Sequence, residues 1–169
     1  MNSDSLPLEL NVIYEVLVTT INEEGKPNIA PMGVKLVNNG EIIIQPFVQS
    51  NTFENMWNKE ECILNFTKDP YLFTQSTLFQ DELTADVFTK IPDSEIPVLK
   101  KCVNNYSVLK VLERSKSEES NRALFKCKII KTIIVPELGI PYTRAHTLLF
   151  EILIHASRIE SFTKYNIFS

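Results

Sequence analysis

The sequence predicts a mainly β fold with peripheral helices. Segments rich in β-branched residues alternate with short polar stretches of turn-forming residues, which is the pattern of strands joined by hairpins. Only the late segment from Thr143 repeats apolar residues at three- and four-residue steps, the spacing of a long amphipathic helix. The 169 residues are enough for one domain with a continuous core.

A meander of three strands is expected first. Residues 12–21 form the first strand, and a polar turn leads into a second strand at 28–36. The chain turns again at 38–40, where Asn-Gly can supply positive φ angles. The third strand covers 41–47, and Pro46 limits its far end to an edge or a break in the ladder.

Two short helices are expected to interrupt the sheet. The spacing of Asn51 and Glu54 is that of a helix cap whose acidic residue reaches back to the cap, and it opens a helix through Trp57. Residues 62–67 form another short strand. The pair Asp69-Pro70 then begins a second helix, because proline is favoured in the first turn.

Two long strands and a C-terminal helix complete the prediction. Residues 106–114 and 123–135 favour strands by their β-branched content, and we expect them to pair across the polar loop 115–121. Beyond Thr143, the apolar positions that predict a helix with one buried face are Ala145, Leu148, Leu149, Ile152 and Ala156.

Composition and motifs exclude several function classes. The net charge of −4 leaves no basic field for a nucleic acid. Four glycines permit neither a dinucleotide fingerprint nor a P-loop, and no hydrolase or H-E-x-x-H motif is present. No run approaches the ~20 apolar residues that span a membrane. Cys62, Cys102 and Cys127 lack metal-ligand spacing, so we expect reduced thiols, no bound metal and a cytoplasmic protein.

The segment 45–55 is the candidate ligand site that the residues themselves indicate. A strand end there leads into Ser50, Thr52 and a helix N-terminus. Unpaired backbone N–H groups, the helix dipole and two hydroxyls can together hold a phosphate dianion. A plain helix cap with exposed polar neighbours explains the same residues more simply. The segment alone leaves both interpretations open.

One segment of the sequence, PNIAPMGV at 27–34, is more specific than the rest. Supporting segments are YEVLVTT at 14–20, TFEN at 52–55, NFTKDP at 65–70, RA at 144–145 and EILIHASR at 151–158. Together these segments resemble an archaeal family of FMN-binding split-barrel proteins, of the flavin reductase-like and pyridoxamine oxidase-like type.

The resemblance implies a six-stranded antiparallel split β-barrel of the FMN-binding type, with a C-terminal helix. Residues 1–169 would form one FMN-binding domain, with helical and hairpin additions after about residue 70. Two copies would pair as a homodimer with FMN, the implied cofactor, at the subunit interface.

The resemblance also implies which residues contact FMN. Those expected along the isoalloxazine ring are Asn28, Ala30, Pro31, Met32 and Gly33, of which Gly33 permits close approach of the backbone. Those expected at or near the phosphate are Gln45, Phe47, Ser50, Thr52 and Asn55.

Residues 45–55 contain neither Arg nor Lys, although related barrels often place such a cation in the phosphate loop. Arg144 is the first candidate for the missing cation, because its planar fork suits phosphate oxygens, and Lys35 is the second. Either could come from the partner subunit.

Three functions remain open at this stage. FMN could serve a flavin-dependent oxidoreductase or flavin reductase, or the protein could store or sense flavin without turnover. The pocket could also hold a different phosphorylated ligand. The sequence indicates no catalytic residue, electron donor or electron acceptor.

Overall fold

A computed structural model describes residues 6, 8–38, 40–80, 83–92, 94–135, 141–144, 148 and 151. The strands are β1 (Ile13–Ile21), β2 (Pro27–Asn38), β3 (Glu41–Ile44), β4 (Glu61–Asn65), β5 (Phe88–Ile91), β6 (Ser94–Leu99), β7 (Asn105–Lys116) and β8 (Ala123–Ile134). The helices are α1 (Asn51–Lys59) and α2 (Pro70–Leu78), and 3-10 turns cover Ala85–Val87 and Lys100–Cys102.

Six of the strands close into an antiparallel barrel in the order β1-β2-β3-β8-β7-β4. Strands β5 and β6 form a separate two-stranded sheet. The long hairpin of β7 and β8 pairs from Asn105↔Ile134 to Lys116↔Ala123, as the sequence predicted for this region. The six-stranded antiparallel barrel is therefore confirmed.

The barrel core follows from the two-residue alternation of the strands. Tyr14, Val16 and Val18 of β1 point inward and are at most 1% exposed, in one cluster with Val34 and Phe125. The intervening residues of β1 point outward. The first hairpin therefore has two buried faces, one against the barrel interior and one against an outer layer.

The outer layer consists of α2 and the segment around β6. Leu17 and Ile29, on the outer face of the first hairpin, pack in one cluster with Leu72 of α2, Leu99 of β6 and Cys102. Asp69 caps α2 by accepting a hydrogen bond from the N–H of Tyr71 at 2.9 Å. The predicted second helix is thus confirmed. The short strands β5 and β6 were not assigned from sequence.

Helix α1 closes one end of the barrel. The rings of Phe53 and Trp57 pack against Phe125 with centroid distances of 6.0 and 6.2 Å, and Met56 is fully buried. The opposite face of α1 is polar and is directed towards the first hairpin. This face forms part of the candidate site.

The predicted cap of α1 is wrong by one residue. Ser50, not Asn51, is the N-cap, and its Oγ accepts a hydrogen bond from the N–H of Phe53 at 3.2 Å. Glu54 therefore falls one position too late to bond back to the cap residue, and its own N–H donates to the carbonyl of Ser50. Three consecutive residues are good caps by type, so the sequence pattern alone did not select among them.

One further prediction differs at its end, and another is described only in part. The third strand ends at Ile44 rather than at residue 47, because Pro46 lacks an N–H and the chain turns towards α1. Arg144, Leu148 and Glu151 have helical backbone, and the rest of the predicted C-terminal helix lies outside the described residues.

The cysteines agree with the sequence prediction of reduced thiols. Cys62, Cys102 and Cys127 are free and buried. A side-chain hydrogen bond with Cys127 and, next to it, burial raise the pKa of the Cys62 thiol well above its usual value. In the described part of the chain, no helix has the length and apolar character needed to cross a bilayer.

Candidate functional site

The site is organised around an open edge of β2. This strand pairs with β1 over residues 27–35, whereas its pairing with β3 begins only at Val34. Residues 28–33 therefore have a strand partner on one side only. The open edge runs from the end of the barrel that α1 closes towards the middle of β2.

Two hydrogen bonds show which backbone groups point to the open edge. Glu15 is the register partner of Gly33, but the N–H of Glu15 donates to the carbonyl of Tyr142 at 2.8 Å and therefore not to Gly33. The N–H of Asn11 donates to the carbonyl of Leu36 at 2.7 Å, so the carbonyl of Leu36 points to the β1 side of β2. The backbone N–H and C=O groups of successive residues point alternately to the two edges of an antiparallel strand. Those of Gly33 and of every second residue before it therefore face away from β1.

The residues that face the open edge are accordingly Ile29, Pro31 and Gly33. Pro31 has no N–H, so the edge offers donors at Ile29 and Gly33 only. The carbonyl of Ile29 accepts a hydrogen bond from Nε2 of Gln80. The same Nε2 donates to Oδ1 of Asn28 at 2.8 Å, so Gln80 covers the start of the edge.

A network of amides and hydroxyls ties the start of β2 to α1. Nδ2 of Asn28 donates to Oγ1 of Thr52 at 3.1 Å and to Oγ1 of Thr20 at 3.3 Å. Nδ2 of Asn55 donates to the same Thr20 oxygen at 3.0 Å. Thr20, Thr52 and Asn55 are at most 5% exposed, so these bonds fix the spacing of α1 and β2.

An open cleft of about 460 Å³ lies between α1, the turn of the first hairpin and Gln80. Its carboxamide-bearing residues are Asn22, Asn28, Asn51, Asn55, Asn58 and Gln80. Its charged residues are Glu23, Glu24, Glu54 and Lys26. This lining suits hydroxyl and amide groups, and its excess of carboxylates disfavours a phosphate dianion inside the cleft.

The hydroxyls at the N-terminus of α1 are already engaged. Oγ of Ser50 donates to the carbonyl of Phe47 at 2.7 Å besides capping the helix, and Oγ1 of Thr52 accepts from Asn28. Within the described residues, the backbone N–H groups of Asn51 and Thr52 have no hydrogen-bond partner. An anion at this helix end would therefore be held mainly by the backbone.

A cation that sequence reasoning missed lies beside this loop. The backbone of Arg122 forms an isolated antiparallel β-bridge with that of Phe47. The guanidinium of Arg122 lies 3.9 Å from the centre of the Phe47 ring, and its Nη1 donates a hydrogen bond to the carbonyl of Gln45 at 2.8 Å. No local pattern could identify it, because the start of β8 reaches residues 46–48 only through barrel closure.

Arg144 lies near the middle of β2. Its Nε donates to Oε1 of Glu15 at 2.6 Å, and its Nη2 would lie 2.6 Å from a Cβ built on Gly33. Lys35 follows Gly33 by two residues and shares its outward face. Gly33 lies five positions after Asn28, which is about 17 Å of strand. Within one protomer, Arg144 and Lys35 are therefore remote from the N-terminus of α1.

The five residues expected along the isoalloxazine ring do not share one face of β2. One group, in register with inward-facing residues of β1, consists of Asn28, Ala30 and Met32. The other group, Pro31 and Gly33, lies on the opposite face of the strand. The structure brings Asn28, Thr52 and Asn55 together directly. It places Gln45 and Phe47 with Arg122, and Gly33 with Arg144.

Comparisons with known proteins agree with this fold. The family model "Protein of unknown function (DUF447) N-terminal domain" matches residues 14–135. The chain is similar to an FMN-bound protein from Methanosarcina mazei assigned to the same family model, with 23% identity, a TM-score of 0.68, and coverage of 93% of this chain and 80% of that one.

Two further solved structures share the fold. A flavoredoxin from Methanosarcina acetivorans has 18% identity and a TM-score of 0.62, with 80% of this chain and 77% of that chain covered. The styrene monooxygenase flavin reductase from Pseudomonas putida has 12% identity and a TM-score of 0.57, with 75% and 84% covered.

Proposed function

This chain belongs to the DUF447 family, and we propose that it binds FMN and acts as a flavin-dependent oxidoreductase or flavin reductase of unknown substrate. The observation that carries the proposal is the open edge of β2 beside the N-terminus of α1. The FMN-bound state of the Methanosarcina mazei protein supports it, because the fold and the family are shared.

The residues present fit the three parts of FMN. The free N–H groups of Asn51 and Thr52 can hold a phosphate, and Arg122 supplies a positive charge near the same loop. The carboxamides of Asn28 and Gln80 suit the ribityl hydroxyls. The open edge of β2 gives a flat ring an extended backbone to lie against.

The protein would contribute binding, orientation and exclusion of water, whereas bound FMN would supply the redox chemistry. Asn55 and Ser50 would act by fixing α1, through the amide network and the helix cap. Gln45 and Phe47 would act by positioning Arg122. Met32, Ala30 and Pro31 would shape the surface along which the ring lies.

We also propose a homodimer with the flavin at the interface. Phe47, Leu112 and Ile130 are each about half exposed, and β2 presents an open edge, so a second copy would bury apolar surface and cover the edge. The free buried thiols support a cytoplasmic location. Light scattering at micromolar concentration tests the dimer, which a monomer of 19.4 kDa with bound flavin would refute.

The binding test compares FMN with riboflavin, which lacks the phosphate. We expect the purified protein to bind FMN and to release it on denaturation. Arg122→Met should weaken FMN about tenfold and riboflavin little, because one charge-assisted contact to phosphate is lost. Lys110→Met, which removes an exposed cation of β7, is the matched control and should bind both ligands normally.

The outcomes separate the functions that the sequence left open. Absence of FMN binding, with tight binding of another phosphorylated compound, would overturn the proposed cofactor. Bleaching of bound FMN by NADH, NADPH or a reduced deazaflavin, faster than free FMN bleaches, would support an enzyme. Binding without faster bleaching by any of the three would favour a storage or sensing module.

A further inference from the structure

We infer that Arg144 and the backbone N–H of Gly33 form a pair of donors that stabilises negative charge on the pyrimidine ring of reduced FMN. The inference rests on the proposed function and goes beyond it, because it assigns Arg144 to the ring and to the redox state of the ligand. Arg144 thereby differs in role from Arg122, which lies beside Gln45 and Phe47 in the loop before α1.

The position of the guanidinium carries the first step. Arg144 lies directly over Gly33, where a Cβ would be 2.6 Å from Nη2 and 3.2 Å from Cζ. Its Nε is held by Glu15, and within the described residues its Nη1 and Nη2 have no hydrogen-bond partner. The two terminal nitrogens therefore remain able to donate to a ligand at this edge.

The backbone supplies the second donor. Gly33 directs its N–H away from β1, and the ladder with β3 contains no register partner for it. Pro31, the preceding residue that faces the edge, has no N–H at all. A planar ligand that reaches the middle of β2 thus meets a backbone donor and a guanidinium together at Gly33.

The local charge favours an anion. Arg144 and Lys35 bring two positive charges to the outer face around Gly33, and Glu15 brings one negative charge. Arg144 is held by the Glu15 ion pair, with side chains 47% and 26% exposed. It is therefore already in place before a ligand changes its charge, which is how preorganised groups stabilise charge efficiently.

Reduction of FMN creates the anion that this pair would meet. A hydride, delivered by a nicotinamide donor, adds two electrons and one proton to the ring system, and the proton resides on N5. One negative charge remains on the pyrimidine part, shared by N1 and the adjacent C2 carbonyl oxygen. Charge near N1 is one of the levers by which a protein tunes a bound flavin.

The experiment measures the two-electron midpoint potential of bound FMN against a reference dye, during slow reduction by dithionite. Wild type is compared with Arg144→Met, Arg144→Lys, Arg122→Met and the control Lys110→Met. Thermal melts accompany each variant. An exposed ion pair contributes little to stability, so we expect Arg144→Met to remain folded.

We expect Arg144→Met to lower the preference for reduced over oxidised FMN about tenfold, which is a fall of about 30 mV in the potential. Arg144→Lys should recover part of the shift, because it keeps the charge but not the fork. Arg122→Met should weaken both redox states alike and leave the potential unchanged. This contrast would separate ring stabilisation from phosphate binding.

An unchanged potential in Arg144→Met, with FMN still bound, would overturn the inference while leaving the proposed function intact. Equal shifts in Arg144→Met and Lys110→Met would overturn it as well, since any surface cation would then suffice. If the wild-type protein binds no FMN in titration, the proposed function fails first, and the inference fails with it.

Discussion

Gly33→Ala should separate ligand chemistry from folding. The new Cβ would lie 2.6 Å from Nη2 of Arg144 and 3.1 Å from Cγ2 of Ile13. The nearer atom is the tip of a flexible side chain, so we expect the guanidinium to move rather than the backbone of β2. The donor pair at the open edge would thereby be broken without a substitution of Arg144.

The effect on stability should be small. The ion pair of Arg144 with Glu15 is partly exposed, and losing it costs at most about 1 kcal/mol. Replacing glycine by alanine in extended backbone raises the free energy of unfolding by about 0.4 to 1 kcal/mol, because alanine lowers the conformational entropy of the unfolded chain. The two terms nearly cancel, so the melting temperature should shift by less than about 4 °C.

Gly25→Ala is the matched control, because it is expected to give the opposite pattern. Gly25 has a φ of 79°, and a Cβ added there would have no heavy atom within 4 Å. Left-handed backbone costs an alanine about 1 to 2 kcal/mol, whatever space surrounds it. This variant should therefore melt earlier and bind FMN with an unchanged potential.

Thermal melts, FMN titration and the midpoint potential, measured on both variants, give the answer. We expect Gly33→Ala to lower the potential by up to about 30 mV, the shift for a tenfold change in preference. If Gly33→Ala instead melts as early as Gly25→Ala and leaves the potential unchanged, Gly33 is a purely structural residue. Such a result would refute a role of Arg144 at the flavin ring.

Three other predictions concern groups outside the ring site. Ser50→Ala should lower the free energy of unfolding by about 1 kcal/mol, because the cap of α1 is lost; a chemical denaturation curve that does not move would contradict this. Asp69→Asn keeps the cap of α2 but loses the charge. The hydrogen bond from Lys101 lowers the pKa of the Asp69 carboxyl in the folded protein. The contribution of the Asp69 charge to the free energy of unfolding, up to about 1 kcal/mol, is therefore present above the unfolded pKa and disappears as the pH falls through the folded pKa. Wild type and Asp69→Asn should accordingly differ at pH 7 and converge in acid unfolding experiments. Burial raises the pKa of Cys102 to about 12, and the folded protein should consequently resist Ellman's reagent at pH 8 until denaturant exposes its thiols.

Much of the fold was accessible from sequence because local patterns and tertiary structure agree. The β-branched runs and their turns predicted the first hairpin and the pairing of β7 with β8, and Asp69 with Pro70 predicted α2. The cap of α1 was placed one residue too late, since Ser50, Asn51 and Thr52 are all competent caps. The structure distinguishes Ser50 by the hydrogen bond that its Oγ accepts from the N–H of Phe53.

The site was less accessible because its parts meet through long-range pairing. Thr52 was named from the residues of segment 45–55 and Asn28 and Asn55 from the resemblance, and the structure joins the three in one network. Gln80 and Arg122 were missed, since neither belongs to a motif. Each contacts the site through a hydrogen bond to a residue more than 50 positions earlier in the sequence, and only the folded chain makes these contacts.

The proline in the open edge of β2 has a consequence for the protein without its ligand. An unpaired strand edge is a template on which other chains can add strands and aggregate. Pro31 faces this edge and offers no donor, and its ring obstructs a continuous ladder. A second strand would therefore meet no donor at Pro31 and, at Ile29, a carbonyl that already accepts a hydrogen bond from Gln80. Pro31 therefore disfavours the addition of a hydrogen-bonded strand along this edge in the ligand-free protein.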